Sequence, residues 1–229
     1  MSKLEIGEYL KKILAEIAFE LDMVKLKPKD PFRLTSGKPS PVYVDARLWT
    51  QSSLIANLFV DAMKWKIEDE DIEFDLVAGG VTAGVPYSER LAGSLDEPSI
   101  YIRGKAKGYG KSAQIEGSED LEGKKVLLIE DLITTGGSKL DFIEGVERAG
   151  GTVEDCLVVF NRKQGGEKTL KKKDVELHSV ITLPELVEYG LEKDKISEEE
   201  AESLMDYIRD PEAWEEKFLK KNPGWEESE

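Results

Sequence analysis

Two adjacent acids, Glu130 and Asp131, close an apolar run in the stretch "KVLLIEDLITTGGSKL" and lead straight into Thr134-Thr135-Gly136-Gly137-Ser138. Glycines let a backbone turn its N–H groups inward, and hydroxyls add further donors. The helix expected from about Ser138 to Ala149 adds the partial positive charge of its N-terminus. Together these make a cup for a phosphate. Two carboxylates beside the cup repel a phosphate, so they serve something else. They can accept hydrogen bonds from sugar hydroxyls and favour a developing cation. A sugar phosphate reacting through a carbocation needs both halves. An ordinary solvated turn is the competing reading, and it does not explain acids placed directly against a hydroxyl- and glycine-rich loop.

Three other stretches carry chemistry. "AGGVTAG", Ala78 to Gly84, is a glycine-rich turn whose backbone, with Thr82, could approach a second phosphate group. As a motif it is weak, because such turns also serve packing. "RGKAKGYGK", Arg103 to Lys111, holds four basic residues and no acid. It reads as an anion-binding loop or as a solvated turn. Its Gly-Lys-Ser ending is not a nucleotide P-loop, because the spacing is one residue too long and no helix pattern follows. Arg162 follows "VVFN", where a guanidinium suits a planar carboxylate. A surface salt bridge explains it equally well on these grounds alone.

These residues need a scaffold that brings strand ends together. Short apolar runs ("FDLVAGG", "PSIYIR", "KKVLLIED", "CLVVFNR", "LHSVITL") alternate with helical patterns, which is the signature of a parallel sheet covered on both faces. "PVYVDAR" reads as a further short strand and "SSLIANLFVDAMKW" as a helix. Leu10, Ile13, Leu14, Ile17 and Leu21 mark an amphipathic helix at the N-terminus. Ser197 with Glu200, and Asp210-Pro211, start two more helices near the end. Trp214 and Phe218 would dock the last one on the body, and Pro223-Gly224 opens an end expected to fray.

The formal net charge is −15, and from Glu185 to Glu229 there are 16 acids against six Lys/Arg. A general nucleic-acid binder needs a basic face, so the charge argues against that class. No apolar run is long enough to span a bilayer, and the N-terminus lacks a signal peptide's pattern. The single cysteine, Cys156, lies in an apolar run and reads as a small core residue. The expected location is the cytoplasm. The lone histidine, His178, is distant from every motif and reads as structural.

"VLLIEDLITTGGS" resembles the signature of the type I phosphoribosyltransferases, which use phosphoribosyl pyrophosphate (PRPP). "DPFRLTSGKPSPVYVDAR", "VAGGVTAG", "YIRGKAKGYGKSAQIEG", "VVFNRKQGG" and "SVITLPELVEY" follow the order and spacing of the orotate-using branch, over roughly residues 10 to 190. The resemblance implies a central mostly parallel sheet flanked by helices, with a hood at about 1–50, within one domain over 1–190. An acidic helical extension would follow over 191–229. It implies a homodimer with a shared active site and a Mg²⁺-dependent transfer of ribose 5-phosphate from PRPP to orotate. Glu130 and Asp131 would hold the ribose hydroxyls under an oxocarbenium-like transition state. Leu132, Ile133, Thr134, Thr135, Gly136, Gly137 and Ser138 would line the 5′-phosphate site. Thr82, Arg103, Lys107 and Tyr109 would face the pyrophosphate, with Lys107 the proton donor to it. Arg162, Thr134, Tyr43 and Val44 would surround orotate. Mg²⁺ would be held mainly by PRPP, with Glu130 and Asp131 as candidate protein ligands.

This chain departs from the family at several positions. Lysines common in the family are replaced by Thr35, Ala83 and Gly104, and a common histidine by Tyr109. Arg33, Lys38 and Lys105 are the nearby candidates to replace that charge. Two rivals share the fold: a purine-salvage enzyme and a PRPP-sensing regulator. Neither accounts for Arg162 together with "FRLTSGKPSP", and the negative charge opposes a regulator that binds nucleic acid.

Overall fold

A computed structural model describes residues 3–104, 114–118 and 120–225. Lys105, Lys107, Tyr109 and Lys111 lie outside the described residues. The chain begins with α1 (Lys3–Glu20), whose apolar stripe packs against α2 (Ser53–Asp69). Between them lie two small antiparallel pairs. β1 (Val24–Leu26) pairs with β4 (Val42–Val44), and β2 (Phe32–Arg33) pairs with β3 (Pro39–Ser40). These form the hood. "PVYVDAR" is a strand only over its middle three residues, because Asp45 caps a 3-10 helix over Ala46–Gln51.

Five runs of Val, Leu and Ile become parallel strands, since a strand buried on both faces has no polar side to alternate with. They are β5 (Leu76–Gly80), β6 (Ser99–Ile102), β8 (Val126–Ile133), β9 (Asp155–Asn161) and β10 (Glu176–Thr182). The sheet order is β10-β9-β8-β5-β6-β7, with β7 (Ile115–Glu116) antiparallel at the edge. Helices α3 (Val85–Leu95), α4 (Gly137–Arg148), α5 (Gly166–Lys171) and α6 (Leu183–Glu192) connect or follow the strands. Two apolar layers result. One packs Leu127 and Ile129 of β8 with α1, α2 and α3. The other packs Val126 and Leu128 with Phe142, Ile143 and Val146 of α4. Cys156 is buried in the second layer, and burial pushes its thiol well up. His178 is buried against Asp155 at 2.7 Å, on the strand that ends the sheet.

The extension is α7 (Glu198–Arg209) and α8 (Pro211–Lys221), each with the N-cap read from sequence. It packs into the first apolar layer through Leu204, Tyr207, Trp214 and Phe218. Trp214 stacks on Phe218 at 5.3 Å and donates its indole N–H to Ser203 at 2.9 Å. Trp225, just after Pro223-Gly224, is docked, while the residues that follow, 226–229, lie outside the described residues. Trp225 packs edge-on against Phe218, and its carbonyl accepts from Arg33 at 2.6 Å.

Because the extension shares the core of the sheet, Trp214→Ala should lower the stability of the whole chain by about 3 kcal/mol. Denaturant unfolding should shift as one transition. A separate early transition for the tail would show two units that fold independently.

Candidate active site

The acids do not terminate β8. The strand runs on to Ile133, with Leu132 paired to Phe160 and Ile133 to Asn161 of β9. Successive side chains of a strand point to opposite faces. Glu130 therefore faces α4, and Asp131 faces the side of the 3-10 helix and α3. The two carboxylates thus do not share one orientation in this structure. That of Glu130 is 5% exposed, lies 2.5 Å from the Lys139 ammonium of α4, and accepts from the Gly80 backbone. Gly80 and Gly84 leave the notch it occupies, and a Cβ on either would collide with Oε1.

Asp131 is half-buried. Burial raises its pKa, while the backbone N–H of Leu132 and the charges of Lys139 and Arg47 oppose that rise. Arg47 is exposed and held by Asp45 through two hydrogen bonds of 2.7 Å. Below them Tyr87 stacks on Trp49 at 4.0 Å and donates to the carbonyl of Ala46 at 2.6 Å. This buried pair fixes the 3-10 helix that presents Arg47 beside Asp131.

The phosphate loop follows. Gly136 adopts φ +85°, a conformation that favours glycine, and a Cβ there would press on Thr169. No side chain caps α4, so its N-terminus opens between exposed Thr135, Gly137 and Ser138. Thr134 is half-buried and lines a cleft of about 460 Å³ with Thr135, Arg162, Tyr207 and Arg209. Arg162 donates from Nη2 to the carbonyl of Val42 at 3.0 Å. Its Nε is buried with no hydrogen-bond partner. Burial lowers its pKa, and the proximity of Tyr207 counters this. Val44 is half-buried, whereas Tyr43 is 40% exposed and tilts on Phe32 at 5.6 Å.

The remaining candidates separate. Thr82 is exposed, in the turn between β5 and α3 rather than in a helix. Arg103 is engaged by Glu116 across the β6–β7 pair, at 2.8 Å from Nε. Lys38 lines the cleft of Thr134 and Arg162, and Arg33 lies in the neighbouring strand β2. Arg33 lies over the Trp225 ring at 4.2 Å, and Lys38 pairs with Glu215 at 2.9 Å, so both bind the extension.

A family model described as "Phosphoribosyl transferase domain" matches residues 50–188. The chain is 37% identical over 206 residues to the orotate phosphoribosyltransferase of Listeria innocua, covering 90% of this chain and 98% of that one. The chain belongs to the orotate phosphoribosyltransferases. Among solved structures of the family, that from Aeropyrum pernix superposes with TM-score 0.67 at 31% identity, over 76% of this chain and 96% of the other. Leishmania donovani UMP synthase superposes with TM-score 0.73 at 26% identity, over 86% of this chain but 42% of that longer one.

Sequence reasoning missed Lys139 and Arg47. Lys139 had a readable signal. A lysine in the first turn of a helix opposes the helix dipole, so something negative must hold it there. Arg47 carried none, since its position depends on a 3-10 turn that "PVYVDAR" conceals.

Burial pushes the Glu130 carboxyl up to about 7, against Lys139, which favours the charged form, and with Asp131, which disfavours it. The ordinary value, 4.5, holds when the chain is unfolded. Below it both states carry the proton. Between the two values only the folded state does, so this group's stabilisation is lost as pH rises from about 4.5 to about 7. Glu130→Gln should flatten that stretch of the stability–pH curve by up to about 3 kcal/mol. Parallel curves for the two proteins would show that Glu130 does not titrate there.

Proposed function

We propose that this chain transfers ribose 5-phosphate from PRPP to orotate, giving orotidine 5′-monophosphate and pyrophosphate, with Mg²⁺, as a cytoplasmic homodimer sharing its active sites. The observation that carries this reading is the convergence of three groups at the ends of β8 and β9. Asp131 is half-buried near the end of β8, the uncapped N-terminus of α4 follows it in the chain, and Arg162 at the end of β9 lines a cleft with Thr134 and Thr135. They suit the sugar, the phosphate and the orotate carboxylate of a single bound pair.

The work of such a site is positioning and charge stabilisation. The bond from C1′ to the pyrophosphate oxygen breaks, positive charge spreads over C1′ and the ring oxygen, and a ring nitrogen of orotate closes on C1′. Asp131 lies on the face where that charge develops and accepts from a ribose hydroxyl. The α4 N-terminus, Thr135, Gly137 and Ser138 hold the 5′-phosphate. Thr134 and Arg162 orient the base, with Val44 and Tyr43 as its apolar border. Glu130 acts through Lys139: the pair cancels one of two negative charges that would otherwise face a polyanionic ligand. Lys107 supplies the proton to the departing pyrophosphate, and Thr82, Arg103 and Tyr109 border the pyrophosphate side, Arg103 after exchanging Glu116 for the ligand.

Mg²⁺ would neutralise the pyrophosphate. No group of three or more His, Cys, Asp or Glu side chains is placed to hold a metal among the described residues. Mg²⁺ prefers oxygen ligands and dehydrates reluctantly, so it would arrive mainly on PRPP. Asp131 is the acid free to meet it, since Glu130 is occupied by Lys139. Among the described residues, no helix is long and apolar enough to cross a membrane.

Purified protein with orotate, PRPP and Mg²⁺ should consume orotate, followed by its absorbance, and a chelator should stop the reaction. Turnover of adenine or hypoxanthine in place of orotate would move the chain to purine salvage. Lys107→Ala should lower kcat by about 100-fold or more while the melting temperature stays put. A near-normal rate would mean that another group protonates the leaving pyrophosphate.

A further inference from the structure

We propose that Tyr207, in the C-terminal extension, is a positioning residue for orotate: through Ser40 it sets the carbonyl that orients Arg162. This rests on the assignment of Arg162 to the orotate carboxylate. The contacts form a continuous chain across three parts of the fold. Ser40, fully buried in the hood, donates its one hydroxyl proton to the carbonyl of Val42 at 2.7 Å. The Tyr207 oxygen lies 3.1 Å from Ser40 Oγ. Since the serine proton is already used, the tyrosine donates and the serine accepts. The same Val42 carbonyl accepts from Arg162 Nη2 at 3.0 Å. Nη2 is thereby held, Nε is buried without a partner, and Arg162 lines the cleft with Thr134 and Thr135.

A guanidinium holding a planar carboxylate is sensitive to its orientation, because both contacts must form at once. The Val42 carbonyl has two acceptor sites, and both are directed, one from Arg162 and one from Ser40. Without the tyrosine proton, Ser40 Oγ still donates to the Val42 carbonyl at 2.7 Å, but as an acceptor it keeps only the weak approach of the Val42 N–H at 3.4 Å. The hydroxyl that braces the Val42 carbonyl is then held less firmly, and so is the arginine on the same carbonyl. Tyr207 itself is anchored independently. Its ring packs edge-on against Trp214 at 5.4 Å, so removing the hydroxyl alone leaves that packing in place.

The experiment is steady-state kinetics with orotate and PRPP varied separately, on the full chain. The variants are Tyr207→Phe, Ser40→Ala, Arg162→Ala and the double variant Tyr207→Phe/Arg162→Ala. Tyr207→Phe should raise KM for orotate about three- to tenfold, the scale of one buried hydrogen bond, with KM for PRPP and kcat within about twofold. Ser40→Ala should do the same, and it carries the test if Tyr207→Phe does not fold. In the Arg162→Ala background the tyrosine change should add nothing, since coupled residues are not additive. Unchanged KM for orotate in both Tyr207→Phe and Ser40→Ala, with a raised value in Arg162→Ala, would overturn the relay and leave the role of Arg162 standing. Fully additive effects, or equal losses for both substrates, would likewise overturn it. An unchanged KM for orotate in Arg162→Ala would overturn the assignment of Arg162 itself, and the relay with it.

Discussion

The buried contact between Glu130 and Lys139, 2.5 Å long, reconciles an acidic strand with a polyanionic ligand. A lone carboxylate at that depth would lose its hydration without compensation, and a lone ammonium would do the same. Each makes the other tolerable. The contact also ties α4, whose N-terminus begins the phosphate loop, to the strand that carries Asp131. Gly80 and Gly84 complete the arrangement by leaving room for the carboxylate. Two stretches far apart in sequence, 80–84 and 130–139, are thus held in register by one buried contact. The alternation of β8 then puts the acids on opposite faces, Glu130 buried and Asp131 half-buried.

Much of this could be read from residue types alone. Val-Leu-Leu-Ile before two acids marks a strand buried on both faces, and Thr-Thr-Gly-Gly-Ser marks the turn into a helix. Alternating runs and helices specify the parallel sheet because little else buries so many short apolar segments. The N-caps at Ser197 and Asp210 are local hydrogen-bond chemistry, and local chemistry is legible. Side-chain partners are not. Nothing in "FRLTSGKPSP" says that Arg33 and Lys38 turn toward Trp225 and Glu215. Charges look available until the fold gives them neighbours. The extent of β8 was misjudged for a similar reason. Acids discourage a strand only when exposed to no benefit, and here each has somewhere to go.

The negative charge of the chain has a similar internal logic. The extension is strongly acidic, and part of that charge is spent on basic residues of the hood, with Lys29 near Glu199 and Glu200 and Lys38 near Glu215. Exposed pairs of this kind add little stability each. Their effect is to choose where α7 and α8 settle, while Tyr207, Trp214 and Phe218 supply the apolar contact that keeps them there.

That placement carries a consequence for biogenesis. Domains tend to fold as they are synthesised, beginning from the N-terminal side. All six strands of the sheet precede residue 183, whereas the wall formed by Tyr207 and Arg209 lies in later residues. A nascent chain can therefore close its sheet and form its phosphate loop before the cleft around Arg162 has its far side. During that interval the apolar patch awaiting Trp214 and Phe218 is bare, and it is the surface that a chaperone, or another unfinished copy, would meet first.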